Sequence, residues 1–151
     1  MALNHTAGIS TPQQLQMTLF ALASLLDEQG QYKKAAKRII RRRHEILYRA
    51  IGLCPEHDVN SVDYYAVIDL EKLAEILYDA NFSKWLLQAI SGADFLRRLA
   101  DETSVVLLPG KGFEVDHPLV RVSLANLEEY KYRAIGSSVR KILQEFHEQY
   151  S

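Results

Sequence analysis

The sequence lacks several features that would place a chain in a specialised class of proteins. It has one cysteine, Cys54, which rules out an intrachain disulfide and predicts a reducing, cytoplasmic compartment. No apolar run approaches the roughly eighteen residues of a membrane span, and the first ten residues have no signal-peptide pattern. The net charge of −1 gives no overall field that would attract nucleic acid or anionic lipid. We therefore expect neither as a partner.

Complete catalytic and metal-binding motifs are also missing. The chain has no G-x-S-x-G, no Walker loop and no G-x-G-x-x-G that leads into a helix. Cys54 and His57 have C-x-x-H spacing, but without a second pair this predicts a structural cysteine beside a surface histidine. The histidines are scattered and none belongs to an H-E-x-x-H motif: His5, His44, His57, His117 and His147. We expect no metal site.

What remains is a chain of 151 residues, 48% hydrophobic and 25% charged, which is enough for one domain with a real core. The first predicted helix begins with Thr11 as its N-cap, Pro12 at its first position and Gln14 completing a capping box. An apolar face at helical spacing continues to Asp27, and Gly30 breaks the pattern: Leu15, Leu19, Leu22 and Leu26.

A second, longer helix is predicted from Gln31 to Ile51. Beside its apolar stripe it carries a run of basic residues: Lys33, Lys34, Lys37, Arg38, Arg41, Arg42 and Arg43. Such a run is compatible with nucleic-acid binding and with a free-standing interaction module. A solvated face, or one opposite acidic groups of a neighbouring segment, is the favoured interpretation, since no RNA-binding or zinc-finger motif accompanies it.

The rest of the chain mixes strands and helices. Val62–Leu70 is predicted as a strand, with Asp69 capping a helix to Tyr78, and two more helices follow at Asn81–Ile90 and Ala93–Glu102. Trp85 is expected in packing, and Arg97, Arg98 and Asp101 in solvent. A long final helix from Leu127 has Asn126 as its N-cap, and Gly136 within it requires a closely packed neighbour. The order predicts an α+β fold, a small sheet covered on one side by helices.

The most informative stretch is Val105–Asn126, in which two strand-like runs, Val105–Leu108 and Leu119–Leu124, flank a Gly- and Pro-rich loop. Arg121 interrupts the second run, and an unpaired arginine among Val and Leu would be very costly. It therefore has a carboxylate of its own chain, a carboxylate on a ligand, or a route to solvent. Alternation along the strand places Arg121 and Ser123 on one face and the apolar residues on the other. The Pro109–Phe113 loop, P-G-K-G-F, is favoured as a strand connection over an anion cradle.

Several motifs in a fixed order resemble the small domain of fold type I pyridoxal-phosphate (PLP) enzymes, the aspartate aminotransferase family. These are the P-G-K-G-F loop after a strand, the strand R-V-S-L-A from Arg121, and the long final helix. Upstream, K-A-A-K-R-I-I-R-R-R-H-E-I-L from Lys34 resembles that family's long interdomain helix, and Ser10-Thr11-Pro12 resembles the end of its large domain. The C-terminal third is most similar to the bacterial aspartate 4-decarboxylase/aspartate aminotransferase branch.

The resemblance implies a PLP fold type I small domain (residues 29–151, including the long connecting helix) that follows the tail of a large cofactor domain (residues 1–28). It implies that Arg121 binds the α-carboxylate of an amino-acid substrate such as aspartate. The complete enzyme would use PLP as its cofactor, include an N-terminal large domain and form a homo-oligomer. The family's side-chain-carboxylate arginine has no counterpart at His5–Gly8, so selectivity for a dicarboxylic substrate would have another origin.

The Schiff-base lysine of the family lies in an S-x-x-K segment of the large domain, and no lysine of this chain has that context. These lysines are Lys33, Lys34, Lys37, Lys72, Lys84, Lys111, Lys131 and Lys141. The resemblance thus predicts the C-terminal portion of a larger enzyme, inactive and without PLP on its own. A fragment of another class I/II aminotransferase, in which Arg121 binds a different substrate, and the interaction module stay open as alternatives.

Overall fold

The computed structural model describes residues 9–56, 60–109 and 118–151. Its elements follow the predicted order and confirm an α+β fold: α1 (Thr11–Leu26), α2 (Gln31–Ile51), β1 (Tyr65–Asp69), α3 (Leu70–Leu77), α4 (Ala80–Ala89), α5 (Gly92–Thr103), β2 (Leu108–Pro109), β3 (Leu119–Ser123) and α6 (Glu129–Tyr150). The chain divides into two compact units, Met1–Arg38 and Ile39–Ser151, and the division falls within α2. Among the described residues, no helix has the length and hydropathy needed to cross a membrane.

In the first unit, α1 begins one residue earlier than predicted, with Ser10 as its N-cap. Ser10 has a non-helical ψ of 151°, and its backbone N–H donates to Oε1 of Gln13 at 3.1 Å. The capping box is therefore Ser10 with Gln13, and Pro12 occupies the second helical position. The assignment to Thr11 and Gln14 was wrong, because the side-chain amide Nε2 of Gln14 instead donates to the carbonyl of Ile9 at 2.7 Å.

The turn after α1 is organised by Asp27 and Gly30. The Asp27 carboxylate accepts hydrogen bonds from the backbone N–H groups of Gln31 (2.9 Å) and Tyr32 (2.8 Å), which lowers the pKa of Asp27. These two donors lie in the first turn of α2, where a helix has no internal acceptors for its N–H groups. Gly30 has a φ of +62°, which confirms it as the residue at which the helical pattern breaks.

In the second unit, the three described strands form an antiparallel sheet in the order β1-β3-β2. Alternate residues of β1 and β3 are buried on one face: Ala66, Ile68, Val120 and Val122. They join a single core with apolar side chains from the helices, among them Leu47, Phe82, Phe95 and Val139. Among the described residues, none covers the opposite face of the sheet in this way, so the predicted helix-on-sheet arrangement is confirmed.

The final helix contributes the largest share of the helical core. Its predicted apolar stripe is buried throughout: Ile135, Val139, Ile142, Leu143 and Phe146. Gly136 lies against α2, and a Cβ built there would be 2.7 Å from both the Cβ of Ala50 and the carbonyl oxygen of Leu47. The expectation of a closely packed neighbour at Gly136 is confirmed.

Several elements are shorter than predicted. β1 begins at Tyr65 and not at Val62, because Asp63 has a φ of +51° in a turn closed by Ser61. Residues 105–107 are not strand, and Val106 is 80% exposed. α6 starts at Glu129, with Glu128 as its N-cap in place of Asn126. Before this helix, the backbone N–H of Leu127 donates to the hydroxyl oxygen of Tyr132 at 3.1 Å.

Arg98 was also misplaced by the prediction that it stays in solvent. Its guanidinium binds Glu102 (2.6 Å) and Glu145 (2.7 Å) and lies over the ring of Phe146, with Cζ 4.5 Å from the ring centroid. Helical spacing alone places Arg98 beside the apolar residues of α5, but only the packing of α6 supplies these partners. Arg98 thus links α5 to α6.

Candidate functional site

Arg121 lies at the centre of the sheet, on the face opposite the helical core. It is the third of five residues in β3, the middle strand, and it is paired with Val67 on β1 and with Leu108 on β2. Val120 and Val122 on either side of it are buried, whereas Arg121 and Ser123 are half-buried. The predicted alternation is therefore confirmed, and Arg121 belongs to the less covered face.

Three described neighbours of Arg121 on this face are exposed. Tyr65, Val67 and Leu108 are 44%, 49% and 56% exposed. We call the residues of this side the open face: Tyr65, Val67, Asp69, Leu108, Leu119, Arg121 and Ser123. The Oγ of Ser123 is buried and has no hydrogen-bond partner in the part of the chain that the structure describes. A buried hydroxyl in that state is expected to gain a partner from a ligand, water or another segment.

The guanidinium of Arg121 rests on an aromatic ring. Its Cζ lies 3.7 Å from the centroid of the Tyr65 ring, well within the range of a cation–π contact. Tyr65 pairs with Ser123 in the ladder, so it is a diagonal neighbour of Arg121, and long side chains reach each other at that separation. Sequence analysis missed this contact because the register between β1 and β3 is not encoded in either strand alone.

A second arginine, Arg43 of α2, binds the end of the strand that carries Arg121. Its Nη1 donates to the carbonyl oxygens of Leu124 (2.8 Å) and Ala125 (3.0 Å), and its Cζ lies 5.7 Å from the centroid of the Tyr132 ring. These carbonyls follow the last residue of β3. Arg43 therefore attaches the C-terminal end of β3 to α2. The basic run in the sequence did not predict this role.

Tyr48 of α2 fixes the neighbouring strand in a similar way. Its hydroxyl donates to the carbonyl of Val67 at 3.1 Å, at the position paired with Arg121. Burial, assisted by the negative charge of Asp63, raises the pKa of Tyr48. The hydroxyl therefore remains protonated and able to donate beyond the pH at which an ordinary tyrosine ionises.

The second unit contains three residues of the basic run of α2, and two of them have partners in that unit. Nε of Arg42 donates to Glu129 of α6 at 2.8 Å, Arg43 binds the two carbonyls, and Arg41 is exposed. Arg42 thus faces an acidic group of a neighbouring segment, one of the two alternatives to nucleic-acid binding considered above. This arrangement favours a structural role for the run.

The remaining candidates form no further site among the described residues. Cys54 is exposed, and no group of three or more metal-ligating side chains occurs in the described part of the chain. His57 and most of the P-G-K-G-F loop, from Gly110 onward, lie outside the described residues. Trp85 packs as expected, against Phe82 and Tyr150, with centroid distances of 6.0 and 5.4 Å.

Comparison with known proteins bears on this resemblance. A bifunctional aspartate aminotransferase and L-aspartate beta-decarboxylase from a Pseudomonas species is 54% identical over 150 residues, or 99% of this chain. The match covers 28% of that protein, so the chain spans little more than a quarter of its relative's length. None of the protein-family profiles compared with the chain matches it. The resemblance to the aspartate aminotransferase/decarboxylase branch is thereby confirmed.

Proposed function

We propose that this chain is the C-terminal portion of a PLP-dependent aspartate aminotransferase/aspartate 4-decarboxylase-like enzyme, in which Arg121 binds the substrate α-carboxylate. The observation that carries the proposal is the position of Arg121 at the centre of the open face, on the strand that matches the family motif. In the complete enzyme this face would look toward the cofactor domain. Aspartate is the expected substrate, as the name of the Pseudomonas relative suggests.

The chemistry of arginine suits this role. A guanidinium presents two parallel N–H donors that match the two oxygens of a carboxylate, whereas a lysine ammonium offers only a point charge. Two parallel hydrogen bonds fix both the distance and the orientation of the substrate. Such fixation aligns the bond to be broken at the substrate α-carbon, a positioning contribution to the rate.

The described lysines do not fit the covalent attachment of PLP. A lysine that forms a Schiff base is typically desolvated, which keeps its amine neutral and nucleophilic. Here every described lysine is exposed except Lys37, which is half-buried. Lys72 and Lys141 moreover make surface ion pairs with acidic side chains. We therefore place the cofactor in the remainder of the polypeptide and expect the chain alone to be inactive.

The first helix supports a division in which residues 1–28 are the tail of a large domain and residues 29–151 form the connecting helix and small domain. α1 contains no charged residue, and apolar side chains on several of its sides are exposed, including Leu15, Met17, Phe20 and Leu25. An uncharged helix with exposed apolar side chains is expected to be covered by another segment of a larger protein. A homo-oligomeric complete enzyme and a cytoplasmic location belong to the same proposal.

The test is the variant Arg121→Lys in the complete enzyme. Loss of a paired, desolvated charge contact costs about 2–5 kcal/mol, and lysine recovers part of it, so kcat/KM for aspartate should fall on the order of 10- to 100-fold. The cofactor absorption spectrum should stay unchanged, because Arg121 is not proposed to contact the cofactor. Arg41→Lys, at an exposed position of α2, is the matched control. Unchanged kcat/KM in Arg121→Lys would contradict the assignment.

A second measurement tests whether the cofactor site lies elsewhere. The purified chain, mixed with PLP and aspartate, should show neither the absorption of lysine-bound PLP nor formation of the oxo-acid product. After borohydride reduction, no lysine of the chain should carry a PLP adduct above the level of a denatured control. A stoichiometric adduct at one lysine, accompanied by turnover, would contradict the proposal.

A further inference from the structure

Tyr65 and Arg121 form a geometrically defined pair on the open face. Tyr65 is the first residue of β1, and its ring centroid lies 3.7 Å from Cζ of Arg121. The ladder between β1 and β3 fixes the two Cα positions, because Tyr65 is paired with Ser123 and Val67 with Arg121. The register therefore brings the two side chains to neighbouring positions on the open face, within reach of each other.

The Tyr65 ring also contacts a second aromatic ring. Tyr64 and Tyr65 are in edge contact, with their centroids 4.7 Å apart at an interplanar angle of 73°. The carbonyl of Tyr64 accepts a hydrogen bond from the backbone N–H of Leu124 at 2.9 Å, which extends the attachment of β1 to the chain after β3. At 44% exposure, Tyr65 combines a fixed backbone with a ring that a ligand can still approach.

A guanidinium can contact an aromatic ring and a carboxylate through different parts of the group. The aromatic ring interacts with the π-face of the cation, whereas a carboxylate is bound by N–H donors that lie in the guanidinium plane. Both contacts can exist together, so a ring beneath Arg121 restricts its rotamers without occupying the donors needed for a carboxylate. Immobilising a long side chain before binding reduces the entropy lost when the ligand binds.

From this geometry we propose that Tyr65 is a positioning residue that holds the Arg121 guanidinium in the orientation required for the substrate α-carboxylate, an inference that rests on the function proposed for Arg121. Tyr65 acts through its ring face, so phenylalanine fulfils the same role and an aliphatic side chain does not. Tyr65 contributes to the strength and selectivity of carboxylate binding and takes no part in the bond-breaking chemistry.

The kinetic test compares Tyr65→Leu and Tyr65→Phe in the complete enzyme. Loss of the face contact should raise KM for aspartate about 3- to 30-fold in Tyr65→Leu, the range of a cation–π interaction, while kcat changes much less. Tyr65→Phe should stay close to the parent enzyme. Tyr130→Leu, which removes another exposed tyrosine stacked near a cation, is the matched control and should leave KM unchanged.

The combination Tyr65→Leu with Arg121→Gln separates an effect through Arg121 from a general loss of stability, because glutamine carries no charge for the ring to hold. If Tyr65 acts through Arg121, its substitution should have little further effect on KM once Arg121 is glutamine. A full additional increase in the double variant would overturn the proposal. An Arg121→Lys enzyme with unchanged kcat/KM would defeat the proposed function itself. An impaired Arg121→Lys enzyme with a normal Tyr65→Leu enzyme would defeat only the inference about Tyr65.

A measurement on this chain requires no catalysis. In nuclear magnetic resonance spectra, the Cδ protons of Arg121 should be shifted upfield by the ring current of Tyr65. The shift should persist in Tyr65→Phe and disappear in Tyr65→Leu, with other amide resonances of β3 retained as evidence of folding. Cδ protons at random-coil positions in the unmodified chain would overturn the proposal.

Discussion

Gly136→Ala should destabilise the protein, although helix propensity predicts the reverse. In the interior of a helix, alanine is more favourable than glycine by about 1 kcal/mol. At Gly136, however, the added Cβ would meet the Cβ of Ala50 and the carbonyl oxygen of Leu47 at 2.7 Å, and the backbone nitrogen of Ile51 at 3.1 Å. The stability of this variant therefore depends on which of the two effects is larger.

The contacts at Gly136 have little room to relax. Carbon atoms in optimal contact are about 3.5–4.0 Å apart, so α2 and α6 would have to separate by roughly 1 Å. Two of the three neighbouring atoms belong to the α2 backbone, and the third is the first side-chain carbon of Ala50, so no rotamer change removes the overlap. Overpacking in a core costs typically about 1–3 kcal/mol. At the upper part of that range, subtracting the propensity gain leaves a net destabilisation of about 1–2 kcal/mol.

The assay is urea unfolding followed by circular dichroism, with an unchanged slope and a lower midpoint expected for Gly136→Ala. Gly92→Ala is the matched control, because a Cβ there would lie 3.7 Å from Pro118, an ordinary contact, and no stability should be lost. Ala50→Gly should cost less stability in the Gly136→Ala background than in the parent, since it removes one of the three close contacts. If Gly136→Ala instead raised stability by the propensity difference, the close packing of α2 on α6 would be refuted.

Two further predictions concern charged groups. Arg41→Gln and Arg42→Gln should each change the free energy of unfolding by no more than about 0.5 kcal/mol, because Arg41 is exposed and the Arg42–Glu129 pair lies at the surface; tight, salt-sensitive nucleic-acid binding lost in the double variant would instead favour an interaction module. Asp27 has a lowered folded pKa, so its contribution to stability should be present above its unfolded pKa near 3.8 and lost as the pH falls through the folded value. Comparison with Asp27→Asn over pH 2–7, by thermal unfolding, should show a stability difference that shrinks on acidification; a difference independent of pH would contradict the role of its carboxylate.

Local signals predicted the elements well and their ends less well. Asp69 caps α3 as expected, with its carboxylate accepting from Glu71 and Lys72, and α2 has the predicted bounds. Errors arose at the ends of the elements. Asn126 is a good N-cap by residue type, but α6 begins two residues later than this predicts, after Glu128. The irregular Val105–Leu107 segment likewise shows that β-branched residues alone do not make a strand.

The candidate site was predictable only in part. The alternation of Val120, Arg121 and Val122 was enough to place Arg121 on the face away from the core, because the side-chain period of a strand is fixed. Its contact with Tyr65 depends on cross-strand register, and the Arg43 bonds to Leu124 and Ala125 depend on how α2 crosses the sheet. Both are tertiary relations between segments more than fifty residues apart. No periodicity within one segment encodes them.

The strand order has a consequence for how the protein is made. β3 lies between β1 and β2, yet it is synthesised last of the three. While the ribosome is still producing the segment before Leu119, neither β1 nor β2 has the strand with which it pairs in the sheet. Closing the long loop from β1 to β3 is entropically slow compared with forming the intervening helices. We therefore expect α3, α4 and α5 to form first, and the face that carries Arg121 to come into existence in one late step as β3 leaves the exit tunnel.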